Sequence, residues 1–261
     1  MKRIVISAVL AACGSRGGDD ARHVGPPPAG SGSGAGSGAG AGIARGDLQV
    51  RVEWPNTPIA DRQSRERNRC GLAARPLVEP TTMWGVPDVV VVVDGDVVVP
   101  PTTQARVVYS SCALSPRITL AARSVVIGSD TGQPFALNLY ALGPSSKLAL
   151  VETGAASNGE RAIELPIAGH EVMADLAENT VYELDRATTE LDRSTNSDET
   201  AFIVTSANAA VTDASGSALL RGVAAGVHNV SAWQPYVHKL AHGTVTVVAG
   251  QAAELTLELG K

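Results

Sequence analysis

Val89-Val-Val-Val-Val93-Asp94-Gly95-Asp96-Val97-Val-Val99-Pro100-Pro101 is the stretch whose reading decides the fold class. Two β-branched runs flank an Asp-Gly-Asp turn, and Asp-Gly between such runs is a strong hairpin signal. The expectation is a pair of strands, 89–93 and 97–99, folded back on each other across 94–96, with the proline pair ending the second. The same character continues to both sides. Leu48-Gln-Val-Arg-Val-Glu-Trp54 alternates with period two, and short apolar runs recur at 105–109, 118–121, 124–128, 136–141, 147–151, 161–165 and 180–184. No long amphipathic helix lies among them. The spacing predicts a mainly-β fold of antiparallel β-sandwich type, and the length suits one large or two small domains.

Ahead of these strands the chain has a different composition. Met1-Lys2-Arg3 puts positive charge before a short apolar run, Ile4 to Ala12, which reads as a secretory signal and is too short to span a ~30 Å hydrocarbon layer. Leu10-Ala11-Ala12-Cys13 resembles the lipobox of bacterial lipoproteins, in which the cysteine is diacylated and becomes the first residue after cleavage. Residues 1–12 are then the signal peptide and Cys13 the lipidation site. Gly14 follows the cysteine where aspartate is the usual inner-membrane retention signal, which favours the outer membrane. Residues 13–46 are rich in Gly, Ser, Ala and Pro. They lack the apolar side chains to form a core, and read as a flexible tether with a reach of roughly 30 Å.

Three cysteines are present. If Cys13 carries lipid, Cys70 and Cys112 remain as a pair in an oxidising compartment and are expected to be bonded, closing a loop worth ~4 kcal/mol by loop-closure entropy. The alternative is a cysteine metal ligand, although neither has a histidine or second cysteine at ligand spacing. The net charge of −5 and pI near 5.5 argue against nucleic acid. Arg62, Arg65, Arg67 and Arg69 are interleaved with acids and read as a solvated loop.

From Asn68-Arg69-Cys70-Gly71, through Cys112-Ala-Leu-Ser-Pro116-Arg117, to Val125-Val-Ile-Gly-Ser-Asp130, the chain resembles secreted cupredoxin-like proteins. Their pattern is Cys-Gly, a hairpin, Cys-x-x-x-Pro-His, then Val-x-Ile-x-Asn-Ser-Asp and a His-Asn-x-His copper segment. Val211-Thr-Asp-Ala-Ser-Gly216, Gly222-Val-Ala-Ala-Gly226 and a strand ending at Trp233 resemble a carboxypeptidase regulatory-like module of transthyretin-like fold. The resemblance implies a cupredoxin-like sandwich over 47–198, a transthyretin-like sandwich over 199–261, and a Cys70–Cys112 bond at matching positions. It departs at the copper ligands. Pro134, Phe135, Leu137 and Asn138 stand about where the paired histidines would be, Arg117 replaces the histidine after proline, and no Cys-x-x-His precedes Phe202. Blue copper needs two imidazoles and a thiolate, so the expectation is no copper and no cofactor.

Other motifs fail on their own chemistry. His170-Glu171 begins like a zinc-protease helix, but Ala174 stands where the second histidine belongs. Asp192, Ser194, Asn196 and Asp198 alternate like a calcium loop, yet Ser197 holds the glycine position and Ile203 the bidentate glutamate position. Residues 184–200 read as a charged surface loop or short helix. No serine sits in a nucleophile-elbow setting. His228, His238 and His242 are weak candidates for a transition-metal site. Trp54, Trp84, Trp233 and Tyr236 either stack on sugar or, as single aromatics in a sandwich usually do, fill the core. The function expected is non-catalytic: an envelope-anchored lipoprotein with a binding or structural role. It would contact the membrane through its lipid, and envelope proteins or polysaccharide through its edges or loops. The alternatives are a copper carrier using histidines unlike the family's, or an accessory module of a carbohydrate- or peptide-processing system.

Overall fold

The computed structural model describes residues 43–64, 66–79, 84–95, 104–131, 135–148, 160–165, 170–186 and 197–260. Cys13, residues 14–42 of the tether and residues 97–99 lie outside them, and the expected tether boundary at 46 is corrected, because Arg45 and Gly46 already pair in the first strand. In chain order the strands are β1 (Arg45–Glu53), β2 (Val90–Val93), β3 (Ala105–Ser110), β4 (Ala113–Ser115), β5 (Ile118–Leu120), β6 (Ser124–Ser129), β7 (Phe135–Pro144), β8 (Glu160–Leu165), β9 (Glu171–Asp175), β10 (Thr180–Arg186), β11 (Thr200–Thr205), β12 (Ala209–Val211), β13 (Ser217–Ala224), β14 (Gly226–Gln234), β15 (Lys239–Val247) and β16 (Ala252–Glu258), with one helical turn, α1 (Ile59–Arg62). The fold is mainly β, as the strand pattern predicts.

The strands form four sheets, ordered β13-β1-β16, β12-β2-β14-β15, β4-β3-β6-β9 and β5-β11-β10-β7-β8. The first two face each other. Leu48, Val50 and Val52 of β1 point between them and meet Val91, Val93, Leu220, Val230 and Leu257, while Gln49 points to water. This is the period-two alternation of the sequence turned into a core. The other two sheets enclose a second core of Val107, Tyr109, Leu114, Ile127, Leu137, Leu184 and Ile203.

The run of valines is explained by what covers it. Val89, Val91 and Val93 face the first core, whereas Val90 and Val92 face outward onto Ile118, Leu148, Val181, Phe202, Val204 and Trp233. This third apolar cluster joins the two sandwiches. A strand buried on both faces has no polar side to alternate with.

Four further expectations change. The hairpin from 89–93 to 97–99 is not the pairing of β2, whose edges are taken by β12 and β14. The division into 47–198 and 199–261 does not follow the sheets, because β1 and β2 are hydrogen-bonded among the C-terminal strands and β11 belongs with β10. One sandwich is thus inserted into the other between β2 and β12. Three of the four sheets are also mixed rather than purely antiparallel, since β1–β16, β3–β6 and β5–β11 run parallel. Finally, Lys147 ends a 3-10 turn, Ser145–Lys147, where a strand over 147–151 is expected, and 149–151 lie outside the described residues.

Gly85 and Gly216 let the first sandwich close. A Cβ on Gly85 would lie 2.0 Å from the Ser215 carbonyl oxygen, and one on Gly216 (φ +80°) 2.6 Å from the Gly85 backbone. Asp213 holds this turn by accepting hydrogen bonds from the Ser215 N–H and hydroxyl and from the Ser217 N–H. The Val-Thr-Asp-x-x-Gly stretch is therefore a packing device.

Candidate functional site

Between β1 and β2 the chain leaves its own sandwich and lies against one end of the inserted one. Asn68 shapes this strap, its side-chain oxygen accepting the N–H groups of Cys70 (3.0 Å) and Leu72 (3.1 Å), and its amide donating to the Ser111 carbonyl. Cys70 is thereby held for its disulfide to Cys112, Cα atoms 5.8 Å apart. Arg75 follows, donating through its backbone N–H and Nε to Asp198 Oδ1, each at 3.0 Å, and through Nη2 to the Leu114 carbonyl.

The centre of this end is Glu199, fully buried in the short 3-10 turn Ser197–Glu199 that opens β11. Its Oε1 accepts from the Tyr109 hydroxyl and from Arg186 Nη1, both at 3.0 Å, and Arg69 Nε stands 3.1 Å from Oε2. Phe135 packs on Tyr109 with ring centroids 4.6 Å apart, and the Arg186 guanidinium lies over both rings. Two guanidinium groups and a phenol thus share one buried carboxylate. Burial foremost, with the Glu199 charge next to it, pushes the Tyr109 phenol up to about 12, so it stays a hydrogen-bond donor at neutral pH.

Asp185 borders this cluster. Burial, and then the nearby charge of Glu183, pushes its carboxyl up to about 6 from 3.8. The folded chain then holds a proton that the unfolded chain has released, so this group's contribution to stability falls as pH rises from about 3.8 to about 6 and is level above. Asp185→Asn, which still can accept from Thr200, is expected to raise Tm at pH 7 by a few degrees and leave it unchanged at pH 3.5. Thermal melts across that range check it; an equal shift at both pH values would mean the charge is not the cause.

A second polar group lies under the other side of the strap. The buried Arg117 stacks on Tyr236, its guanidinium carbon 3.7 Å from the ring centroid, and donates to the Pro76 carbonyl at 2.9 Å. The Tyr236 hydroxyl directs its one proton between the carbonyls of Thr200 (3.0 Å) and Arg117 (3.2 Å). Burial pushes the Tyr236 phenol up to about 12, and burial also raises the Asp88 carboxyl, against the lowering pull of Arg117.

Of the positions aligned with copper ligands, Phe135 lies in the Glu199 cluster, Leu137 in the apolar core and Arg117 against Tyr236, so they do not converge on one point. Pro134 lies outside the described residues. Both ring nitrogens of the buried His228 meet carbonyls, Nδ1 that of Asp94 at 2.8 Å and Nε2 that of Ala224 at 2.7 Å. His238 is exposed in the β14–β15 turn, about 20 Å along the hairpin from His228 by strand rise. His242 is exposed on the opposite face from His228, paired with the Ser231 hydroxyl at 2.9 Å. The three histidines do not form a cluster. Among the described residues, no three His, Cys, Asp or Glu side chains come together to hold a metal.

Glu171 pairs with Arg106 on an open edge, and Asp198 with Arg75, while 192–196 lie outside the described residues. The reading of 184–200 as surface is corrected at both ends, since Asp185, Asp198 and Glu199 are buried. The arginine loop is corrected in part. Arg69 holds Glu199 and Arg62 bonds to Trp54 and Thr57, while Arg65 lies outside the described residues. Trp54 and Trp233 are core residues; Trp84 is exposed. Sequence reasoning passed over Tyr109, Arg186 and Glu199, and the one available signal was an acidic residue directly before a β-branched run. Among known proteins, the chain matches no family model, no curated protein and no solved structure.

Proposed function

We propose that this chain is a non-catalytic binding protein of the cell envelope, anchored by lipid on Cys13, at the outer membrane, and lifted from it by the tether that precedes β1. Its two sandwiches act as one scaffold whose loops meet envelope proteins or polysaccharide. The carrying observation is the Glu199 cluster. At the end of the inserted sandwich that holds Phe135, Tyr109, Arg186 and Arg69 are engaged with Glu199, and both cysteines among the described residues are bonded to one another, which leaves neither as a thiolate ligand. In the cupredoxin-like resemblance this is a scaffold that has exchanged a metal for an ion-pair lock.

Cells fed an alkyne-tagged fatty acid are expected to label the full chain and not its Cys13→Ser variant. That variant, with its disulfide intact, is the material for titration with Cu(II), where no intense visible thiolate-to-copper absorption is expected. A labelled variant would overturn the anchor. An intense blue colour, or stoichiometric copper after dialysis, would overturn the metal-free reading.

A further inference from the structure

Trp84 departs from the other tryptophans in three respects. It is 55% exposed where Trp54 is 5% and Trp233 1%. Its φ is +60°, a left-handed conformation that a bulky residue seldom adopts. It also carries a cation, the Arg62 guanidinium, 5.9 Å from its ring centroid.

The conformation is imposed from both sides. The Trp84 carbonyl accepts the Trp54 N–H at 2.9 Å, and the next residue, Gly85, is pressed against Ser215 so closely that no side chain fits there. Arg62 is equally fixed, donating to the Trp54 carbonyl (3.2 Å) and to the Thr57 hydroxyl (2.8 Å). The indole is thus held outward with a positive group over one side and more than half of its surface in water. Backbone strain of this kind persists only where the surroundings over-determine it, and it gathers at ligand sites.

Trp54, whose N–H the Trp84 carbonyl accepts, also lines a cleft of ≈ 320 Å³ together with Asn56, Asp61, Leu77 and Lys239 among others. That is at the small end of ligand-site volumes. Its polar lining brings one amide, one carboxylate and one amine, a set that can both donate to and accept from hydroxyls, and Arg62 over the indole adds a further positive charge.

We propose that Trp84 and this cleft form a binding site for a β-linked pyranose chain, one sugar ring stacking its flat C–H face on the indole and its neighbour hydrogen-bonding to Asn56, Asp61 and Lys239. A flat apolar face beside balanced donors and acceptors matches a sugar whose hydroxyls lie equatorial around an apolar face. The inference rests on the proposed binding role and gives it a ligand class.

The test uses the full chain in mild detergent with two probes that share the linkage, cellohexaose and chitohexaose, the second carrying N-acetyl groups. Trp54, Trp84 and Trp233 are the only tryptophans, and because Trp54 lines the cleft, a saturable change in emission that Trp84→Ala abolishes is the one that reports on Trp84. At least one probe is expected to bind in the micromolar to millimolar range. By calorimetry Trp84→Ala should weaken it at least tenfold with Tm held, Trp84→Phe should restore part of the loss, and Asn56→Ala should weaken it severalfold. Saturable binding of one probe alone assigns the site to plain or to N-acetylated chains. Failure of both probes to bind, or undiminished binding by Trp84→Ala, overturns the inference and leaves the anchored, metal-free scaffold as it was. Cleavage of a hexamer into shorter products would overturn the non-catalytic role and leave the Trp84 contact standing.

Discussion

Replacing Glu199 by alanine should lower stability by about 3–5 kcal/mol, the range for removing one partner of a buried ion pair. The loss exceeds the value of any single contact because of what stays behind. Arg186 and the Tyr109 hydroxyl lose their common acceptor inside the protein, and Arg69 loses the carboxylate that draws the strap inward. For a body of this size that is a fall in Tm on the order of 10 °C. The surrounding substitutions should rank below it. Tyr109→Phe removes one donor and leaves the carboxylate with both arginines, costing about 1 kcal/mol. Arg69→Ala breaks a pair whose cation is 42% exposed, and about 1 kcal/mol or less is expected. Denaturant unfolding of the three variants, with unchanged m-values, checks the order. A Glu199→Ala protein as stable as the parent would mean that the cluster does not lock the end of the sandwich, and the reading of this site as a metal-replacing brace would fall with it.

The strands were legible because their signals are local. Period-two alternation placed β1, β-branching placed β2, and two cysteines were enough to expect their bond. Sandwich membership was not legible, because pairing in a sheet is a contact between distant segments. A strand of four valines buried on both faces suits the middle of either sandwich equally well. The Asp-Gly turn signal was outweighed by β12 and β14, which offer β2 two long-range edges on an apolar surface. Glu199 was hidden for a related reason. Within its own segment, Ser197-Asp198-Glu199, it reads as a solvated acid, and its burial depends on Tyr109, 90 residues away. Trp84 failed in the other direction. Burial is the rule for single tryptophans, and only the Gly85–Ser215 contact reveals that the backbone turns this one outward.

Removing the disulfide through Cys70→Ser and Cys112→Ser should cost about 2–4 kcal/mol. Part of this is the loop-closure entropy returned to the unfolded chain across a sequence separation of 42 residues. A second part follows from the architecture. Cys70 lies in the strap between β1 and β2, which are strands of the C-terminal sandwich, whereas Cys112 lies between β3 and β4 of the inserted one. The bond therefore ties one sandwich to the other, with Cys112 packed against the core of the inserted one. It also fixes the residue before Cys70, and that residue is Arg69. Without the bond Arg69 should drift from Glu199, so the disulfide and the ion pair are coupled. A double-mutant cycle between the cysteine pair and Glu199→Ala is expected to be non-additive by roughly 0.5–3 kcal/mol, the combined loss being smaller than the sum. Strict additivity would show that the sandwich end holds Glu199 without help from the strap, and the disulfide would then act on the unfolded chain alone.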